Sequence, residues 1–138
     1  MRHNPILVEE TRGWFAKARN DLRAATVDLQ AVPPLLEDAM FHSQQAVEKT
    51  LKGFLTWHDE PFRKTHSLAE LGEQCARLDL QLEPLLRKAS RLSEYATKYR
   101  YPGEPLPATP EDAVEAMSLA ENVVEAVLAR LPSEASSA

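Results

Sequence analysis

The chain has 138 residues, 43% of them hydrophobic, and a formal net charge of -5. This predicts one globular domain with a buried core, and the negative charge excludes the broad basic surface of a duplex-DNA binder. The single cysteine, Cys75, excludes an intramolecular disulfide and a Cys-rich metal site, and we expect neither metal nor cofactor. The chain lacks an apolar run of about 18 residues and a secretion signal, so we expect a cytoplasmic protein without a membrane span.

The first two predicted helices cover residues 8–30 and 35–57. Apolar side chains recur in both at intervals of three and four residues, which places them on one face of each helix. Pro33 and Pro34 separate the helices, because a proline has no amide to continue the hydrogen-bond ladder. Gln44 interrupts the second apolar seam. Gly53 costs about 1 kcal/mol relative to alanine, so we expect a neighbouring helix to approach closely there.

Three further helical patterns follow. Ser67 and Glu70 match a capping box, which predicts a short third helix that ends near residue 80. A fourth pattern begins after Pro84 and fades near residue 99. A proline-rich stretch at 102–110 forbids a helix, and the last helix restarts with Thr109 as its cap and runs to residue 131.

These elements predict an all-α fold, an up-and-down antiparallel four-helix bundle with a short extra helix. Neither an internal repeat nor a strand-like alternation competes with this interpretation. We expect a single domain over residues 1–138, with a core of about 8–131 and a flexible tail at 132–138.

The second helix carries a stripe of polar side chains beside its apolar seam. His42, Gln45, Lys49 and Lys52 follow one another at spacings of three, four and three, so they share one face. Two lysines on one face could meet a phosphate group. The alternative is an ordinary solvated surface on which Glu37 and Glu48 offset the two lysines.

His42 and His66 are the histidines best suited to a functional role, since either could titrate near neutral pH or donate to a ligand. Their spacing does not match a metal site. The structural alternatives are a buried His42 bonded to a carbonyl and a His66 that braces the loop before the third helix.

Residues 95–101 concentrate cations and aromatic rings before the proline-rich stretch. Arg100 could grip phosphate and Tyr101 could stack on a base, which suits a nucleotide or single-stranded RNA. The same residues could instead fill the end of the bundle and cap helix carbonyls. We find no convincing nucleophile, because Ser43 points away from His42 on a helix and Cys75 falls on an apolar face.

Four segments carry a resemblance to a known family. They read WFAKA at residues 14–18, FHSQQAVEKTLKG at 41–53, KTHSL at 64–68 and YRYP at 99–102. The chain resembles the HEPN family, the "higher eukaryotes and prokaryotes nucleotide-binding" domain, over roughly residues 14–131. The resemblance implies a helical bundle that often forms homodimers. It also implies a small nucleotidyltransferase as partner, in pairs that look like toxin–antitoxin modules.

The resemblance also shows a departure. In nuclease members an arginine is followed after four to six residues by a histidine, and together they form a metal-independent RNA-cleaving site. Here the positions after Arg100 hold Pro105, Leu106 and Pro107. The imidazole that would move a proton is therefore missing from this motif.

Two functional hypotheses follow. The preferred one is a non-catalytic module that binds a nucleotide or a nucleotide-bearing partner and acts with a small nucleotidyltransferase. Its candidate ligand-binding residues are His42, Lys49, Lys52, His66, Arg100 and Tyr101. The alternative is a divergent endoribonuclease toxin, with Arg100 stabilising the charged phosphorane and His66 or His42 as general base.

Overall fold

The computed structural model describes residues 3–96, 102 and 107–136. Within these residues the chain forms α-helices and 3-10 helices and no strand, which confirms the predicted all-α helical bundle. The α-helices are α1 (Pro5–Gln30), α2 (Leu36–Trp57), α3 (Leu68–Leu78), α4 (Glu83–Ala89), α5 (Pro110–Leu128) and α6 (Ser133–Ser136), with 3-10 helices at Leu80–Leu82 and Ser90–Ala96.

α1 starts three residues before the predicted boundary because its beginning is capped. Asn4 is the N-cap, and its side-chain oxygen accepts the Ile6 amide at 2.8 Å. Pro5 occupies the first turn, where a missing amide costs nothing. The apolar periodicity detects only the part of the helix that faces the core, and it misses this exposed first turn.

α1 and α2 pack against each other as an antiparallel pair. Asp28 contacts His42 and Asp21 contacts Lys49, so the residue number falls along α1 as it rises along α2. Gly53 lies where the two helices come closest: a Cβ atom built there would be 2.9 Å from Phe15 Cε1 and 3.1 Å from Trp14 Cβ. The predicted close approach at Gly53 is confirmed.

The fourth predicted helix is shorter than its pattern suggested. α4 ends at Ala89, and the chain continues as a 3-10 helix to Ala96. A 3-10 helix has three residues per turn, so Ala89, Leu92 and Tyr95 fall on one side and pack into or against the core. The Ser90 hydroxyl also donates to the Arg87 carbonyl at 2.6 Å, where the α-helix ends.

The capping boxes at the starts of α3 and α5 differ in how completely they form. Thr109 and Asp112 make a reciprocal capping box at the start of α5. At α3, Ser67 accepts the Glu70 amide at 3.2 Å as predicted. The Glu70 carboxylate instead pairs with Arg63, with Arg63 Nη2 at 2.6 Å from Glu70 Oε1. The predicted capping box at α3 is therefore only half formed.

The expected flexible tail at 132–138 is replaced, over residues 133–136, by the short helix α6. Ala135 is fully buried and packs with Val8 and Trp57 in a second apolar cluster. Two α1 side chains hold the α6 backbone: Arg12 donates to the Glu134 carbonyl at 2.7 Å, and Arg19 to the Ser136 carbonyl at 2.8 Å. The sequence pattern missed this helix because four residues are too few to show a period.

The main core joins α1, α2, α3, α4 and α5 around large buried side chains, among them Phe15, Phe54 and Leu51. Cys75 lies in this core, fully buried, as predicted from its apolar face. None of the described helices combines the length and the apolarity that a membrane span requires.

Candidate functional site

A hydrogen bond and an ion pair line one edge of the contact between α1 and α2. His42 Nδ1 lies 2.7 Å from Asp28 Oδ2, and Lys49 Nζ lies 2.6 Å from Asp21 Oδ2. The two contacts are separated by seven residues on each helix, which is two turns, so both fall on the same edge. His42 is therefore half-buried against a carboxylate, not bonded to a carbonyl as the structural alternative expected.

A buried carboxylate, that of Glu48, is the centre of a second polar cluster. Glu48 is only 3% exposed. Its Oε1 accepts hydrogen bonds from His66 Nδ1 at 2.9 Å and from Gln44 Nε2 at 3.2 Å, and its Oε2 accepts one from Lys52 Nζ at 3.0 Å. Gln45 extends the chain of bonds by donating to Gln44 Oε1 at 2.7 Å. We call Gln44, Glu48, Lys52 and His66 the Glu48 cluster.

The neighbours of Glu48 determine whether its carboxyl group is ionised. Burial alone would raise the pKa of this carboxyl group, but hydrogen bonds from His66, Lys52 and Gln44 and the charge of Lys52 lower it. The net pKa lies below the ordinary value of 4.5. Glu48 is therefore an ionised carboxylate near neutral pH, and all three of its partners act as donors.

Both lysines of the polar stripe are already engaged within the domain. Lys52 is 8% exposed, bonds to Glu48 and lies with its Nζ 5.5 Å from the centre of the Trp14 ring, a cation–π distance. Lys49 is paired with Asp21. The stripe thus faces α1 and the Glu48 cluster and is not a solvated surface, whereas Glu48 does offset Lys52 as the structural alternative expects.

His66 differs from the other cluster members in its exposure. Its side chain is 77% exposed although Glu48 holds it. The backbone beside it is also fixed: Ser67 caps α3, and the Leu68 amide donates to Ser93 Oγ at 2.9 Å. An exposed imidazole held on a buried carboxylate can present one ring nitrogen to a ligand in a defined direction.

The structure describes four of the six predicted ligand-binding residues and separates them into two groups. His42 and Lys49 lie on the edge towards Asp28 and Asp21, whereas Lys52 and His66 meet at Glu48. His42 and Glu48 are six residues apart on α2, which is about 9 Å along the axis and roughly a third of a turn around it. Arg100 and Tyr101 lie outside the described residues.

Sequence reasoning missed the residue that organises the site. Glu48 was considered only as a charge that offsets the lysines. The spacing of Glu48 and Lys52, four residues apart with the acid first, could have indicated an ion pair. The contact with His66 bridges 18 residues of sequence, and no local pattern signals it.

The described residues offer no metal site and no activated nucleophile. No group of three or more His, Cys, Asp or Glu among them could hold a metal ion. Ser43 is fully buried and donates to the Ala39 carbonyl at 2.8 Å. Burial raises the pKa of the Cys75 thiol to about 12, so this side chain is not a reactive thiolate.

A cleft of about 1020 Å³ lies between the first half of α1 and the loop before α3, and its wall includes the Trp14 ring that Lys52 contacts. Trp14 and Phe62 form an edge-to-face pair in its wall. Among the described residues, Glu10, Asp59 and Glu60 line it together with one cation, Lys17. The acidic lining is unfavourable for a phosphate group.

Comparisons with known proteins show what the chain is similar to. No curated protein and no solved structure matches it significantly. The family model described as "HEPN domain" matches residues 11–131, which is most of the sequence. This range includes the Asp28–His42 and Asp21–Lys49 contacts between α1 and α2 and the complete Glu48 cluster. The chain belongs to the HEPN domain family.

Proposed function

We propose that this HEPN domain is a non-catalytic nucleotide-binding module whose contact surface centres on His66. The observation that carries the proposal is the imidazole itself, which is 77% exposed yet bonded to the buried carboxylate of Glu48. A bond to a buried ionised group restrains a side chain that would otherwise rotate in solvent, and a restrained side chain loses less entropy when it binds a ligand.

The ion pairs change the roles proposed for the other stripe residues. Lys49 and Lys52 are each bonded to a carboxylate, so a phosphate would have to compete with Asp21 or Glu48 for them. His42 is paired with Asp28 on the edge of α2 that carries Lys49. We therefore assign His42 and Lys49 to holding α1 against α2, Lys52 to the Glu48 cluster, and His66 to contact with the ligand.

Arg100 and Tyr101 remain part of the proposed contact surface. The 3-10 helix Ser90–Ala96 lies close to His66, because Ser93 Oγ accepts the Leu68 amide two residues after His66. Arg100 follows Ser93 by seven residues in the sequence. A guanidinium can bind the phosphate of a nucleotide, and a phenol can stack on its base.

The proposed biological setting rests on the family. HEPN proteins commonly pair with a small nucleotidyltransferase in toxin–antitoxin-like modules and often form homodimers. We propose both kinds of partner for this chain. The non-catalytic assignment rests on Pro105, Leu106 and Pro107, which stand where nuclease members place their histidine after the arginine.

Calorimetric titration of the full chain with ATP and GTP tests the proposal, together with co-purification with a nucleotidyltransferase from the neighbouring gene. We expect saturable binding of a nucleotide that weakens at least tenfold in His66→Ala. Arg63→Met is the matched control, since Arg63 is an exposed cation before α3 that bonds only to Glu70 among the described residues. Absence of nucleotide binding and of a co-purifying partner would remove the proposal.

The alternative function is a divergent endoribonuclease, and one observation favours it. A histidine whose Nδ1 is bonded to a carboxylate can use its other nitrogen as a general base towards a ribose 2′-hydroxyl. Incubation of the purified chain with RNA in the presence of a chelator separates the two functions. Cleavage that is lost in both His66→Ala and Arg100→Ala would establish the ribonuclease, and intact RNA at high protein concentration would exclude it.

A further inference from the structure

The bond between Glu48 and His66 has a defined direction. An ionised carboxylate has no proton and can only accept, so the proton between Glu48 Oε1 and His66 Nδ1 belongs to the imidazole. The lowered pKa of Glu48 keeps it ionised. Gln44 and Lys52 strengthen this state, because both also donate to the carboxylate.

This direction fixes the tautomer of a neutral His66. A neutral imidazole carries one N–H, and here that N–H is at Nδ1. Nε2 then holds a lone pair and can only accept a hydrogen bond. The structure gives Nε2 no hydrogen-bond partner among the described residues, and the ring is 77% exposed, so this acceptor is available to a ligand.

We propose that Glu48 is a positioning residue that holds neutral His66 as its Nδ1–H tautomer, so that Nε2 accepts a hydrogen bond from a ribose hydroxyl of a bound nucleotide. The ligand part of this inference rests on the proposed function, whereas the tautomer part does not. A phosphate oxygen has no proton to offer to Nε2, so His66 contacts the sugar and not the phosphate.

The tautomer is measured directly in the unaltered chain. In nitrogen-15 NMR spectra of the histidine-labelled protein at about pH 8.5, where an ordinary imidazole is neutral, we expect His66 Nδ1 to resonate as a protonated nitrogen and Nε2 as an unprotonated one. The spectrum of His66→Asn identifies the signals by their loss. An Nε2–H tautomer, or an equal mixture of the two, would overturn the proposal.

Two variants test which carboxylate is responsible. In Glu48→Gln the amide can accept or donate, so the His66 signals should shift towards a mixture of tautomers. Asp28→Asn is the matched control, because Asp28 bonds to Nδ1 of His42 in the same way, and it should change only the His42 signals. Unchanged His66 signals in folded Glu48→Gln would contradict the role of Glu48. Should that variant not fold, the unaltered chain still decides the tautomer.

The ligand part is tested by calorimetry with ATP and with 2′,3′-dideoxy-ATP. We expect the dideoxy compound to bind about tenfold more weakly, as for the loss of one hydrogen bond to an oriented group. His66→Asn should weaken ATP binding similarly and abolish the difference between the two nucleotides. Equal binding of both nucleotides to the unaltered chain would overturn the sugar contact. Failure to bind any nucleotide would overturn the proposed function and leave the NMR result standing.

Discussion

At the scale of single residues, Lys52 and Glu48 form an ion pair in which both side chains are at least nine-tenths buried. Removing one partner of a buried pair leaves the other charge without compensation. We therefore expect Lys52→Met to lower the free energy of unfolding by about 3 kcal/mol, measured by urea denaturation. The bonds from His66 and Gln44 to Glu48 remain and keep the loss from being larger.

Arg63 provides the control for this prediction. It is also a cation bonded to a glutamate, Glu70, but its side chain is 78% exposed. Water and salt screen such a pair, so Arg63→Met should change the stability little. Similar losses in the two variants would mean that burial of the Lys52 pair contributes nothing.

Glu48 should also make the stability of the domain depend on pH. Its pKa in the folded state is lowered, so its contribution is present above the ordinary value of 4.5 and is lost as the pH falls through the folded pKa. Urea unfolding between pH 7 and pH 3 should show a shallower loss of stability in Glu48→Gln than in the unaltered chain.

Comparison with the Glu70→Gln variant shows whether a buried and an exposed paired carboxylate contribute differently to this pH dependence. A hydrogen bond from Arg63 also lowers the pKa of Glu70, but that carboxylate is near the surface. High salt should remove the pH dependence due to Glu70 and leave that due to Glu48. A Glu48 contribution that vanishes in salt would contradict a buried origin.

At the scale of helices, two glycines of the bundle are predicted to respond oppositely to alanine. In Gly53→Ala the new Cβ would meet the Phe15 ring at 2.9 Å, so α1 and α2 must move apart, and we expect a loss of about 1–3 kcal/mol in the free energy of unfolding. In Gly13→Ala the Cβ meets nothing within 4 Å, and the higher helix propensity should stabilise by about 0.5–1 kcal/mol. Thermal denaturation of both variants is the measurement, and stabilisation by both would contradict the close helix contact.

The helices also show what the sequence can and cannot predict. The bounds of α2 and the start of α5 follow from local signals: apolar periodicity, and Thr109 before Pro110. The 3-10 helix at Ser90–Ala96 was not predicted, because Leu92 is compatible with either helical period. Packing of Tyr95 against the core, a tertiary contact, favours the 3-10 conformation.

Local sequence signals identify residue types of the candidate site but not its connections. The sequence singles out Lys52 by its spacing on α2 and His66 by its residue type, without joining them. That both bond to Glu48 could not be derived, since the loop that carries His66 is placed by long-range contacts such as that of Leu68 with Ser93. Arg100 and Tyr101 themselves lie outside the described residues.

At the scale of the whole molecule, α6 joins the end of the described chain to its beginning. Ala135 is fully buried against Val8 and Trp57. A lysine at this position would have to leave the contact, so Ala135→Lys should displace α6 and lower the stability by about 1–3 kcal/mol. In a Trp14→Phe background, Ala135→Lys should increase the quenching of Trp57 fluorescence by acrylamide, because α6 would no longer cover this side chain.

Glu134→Lys is the matched control, because it adds the same side chain one residue earlier, at an exposed position whose carbonyl still accepts from Arg12. It should leave the quenching unchanged. Equal quenching of Trp57 in the two variants would show that α6 does not cover this side chain.

The Asp28–His42 and Asp21–Lys49 contacts also set the register of α1 against α2. Sliding α2 by one turn, about four residues, would place Asp28 opposite Asp38 in one direction or Ala46 in the other. Asp21 would lose Lys49 in the same step and meet Gln45 or Gly53. Apolar seams alone tolerate such a slip, because one leucine resembles the next. Two acids at a seven-residue spacing thus fix the register of the helix pair, because a neighbouring alignment would leave partly buried carboxylates without their hydrogen-bond partners.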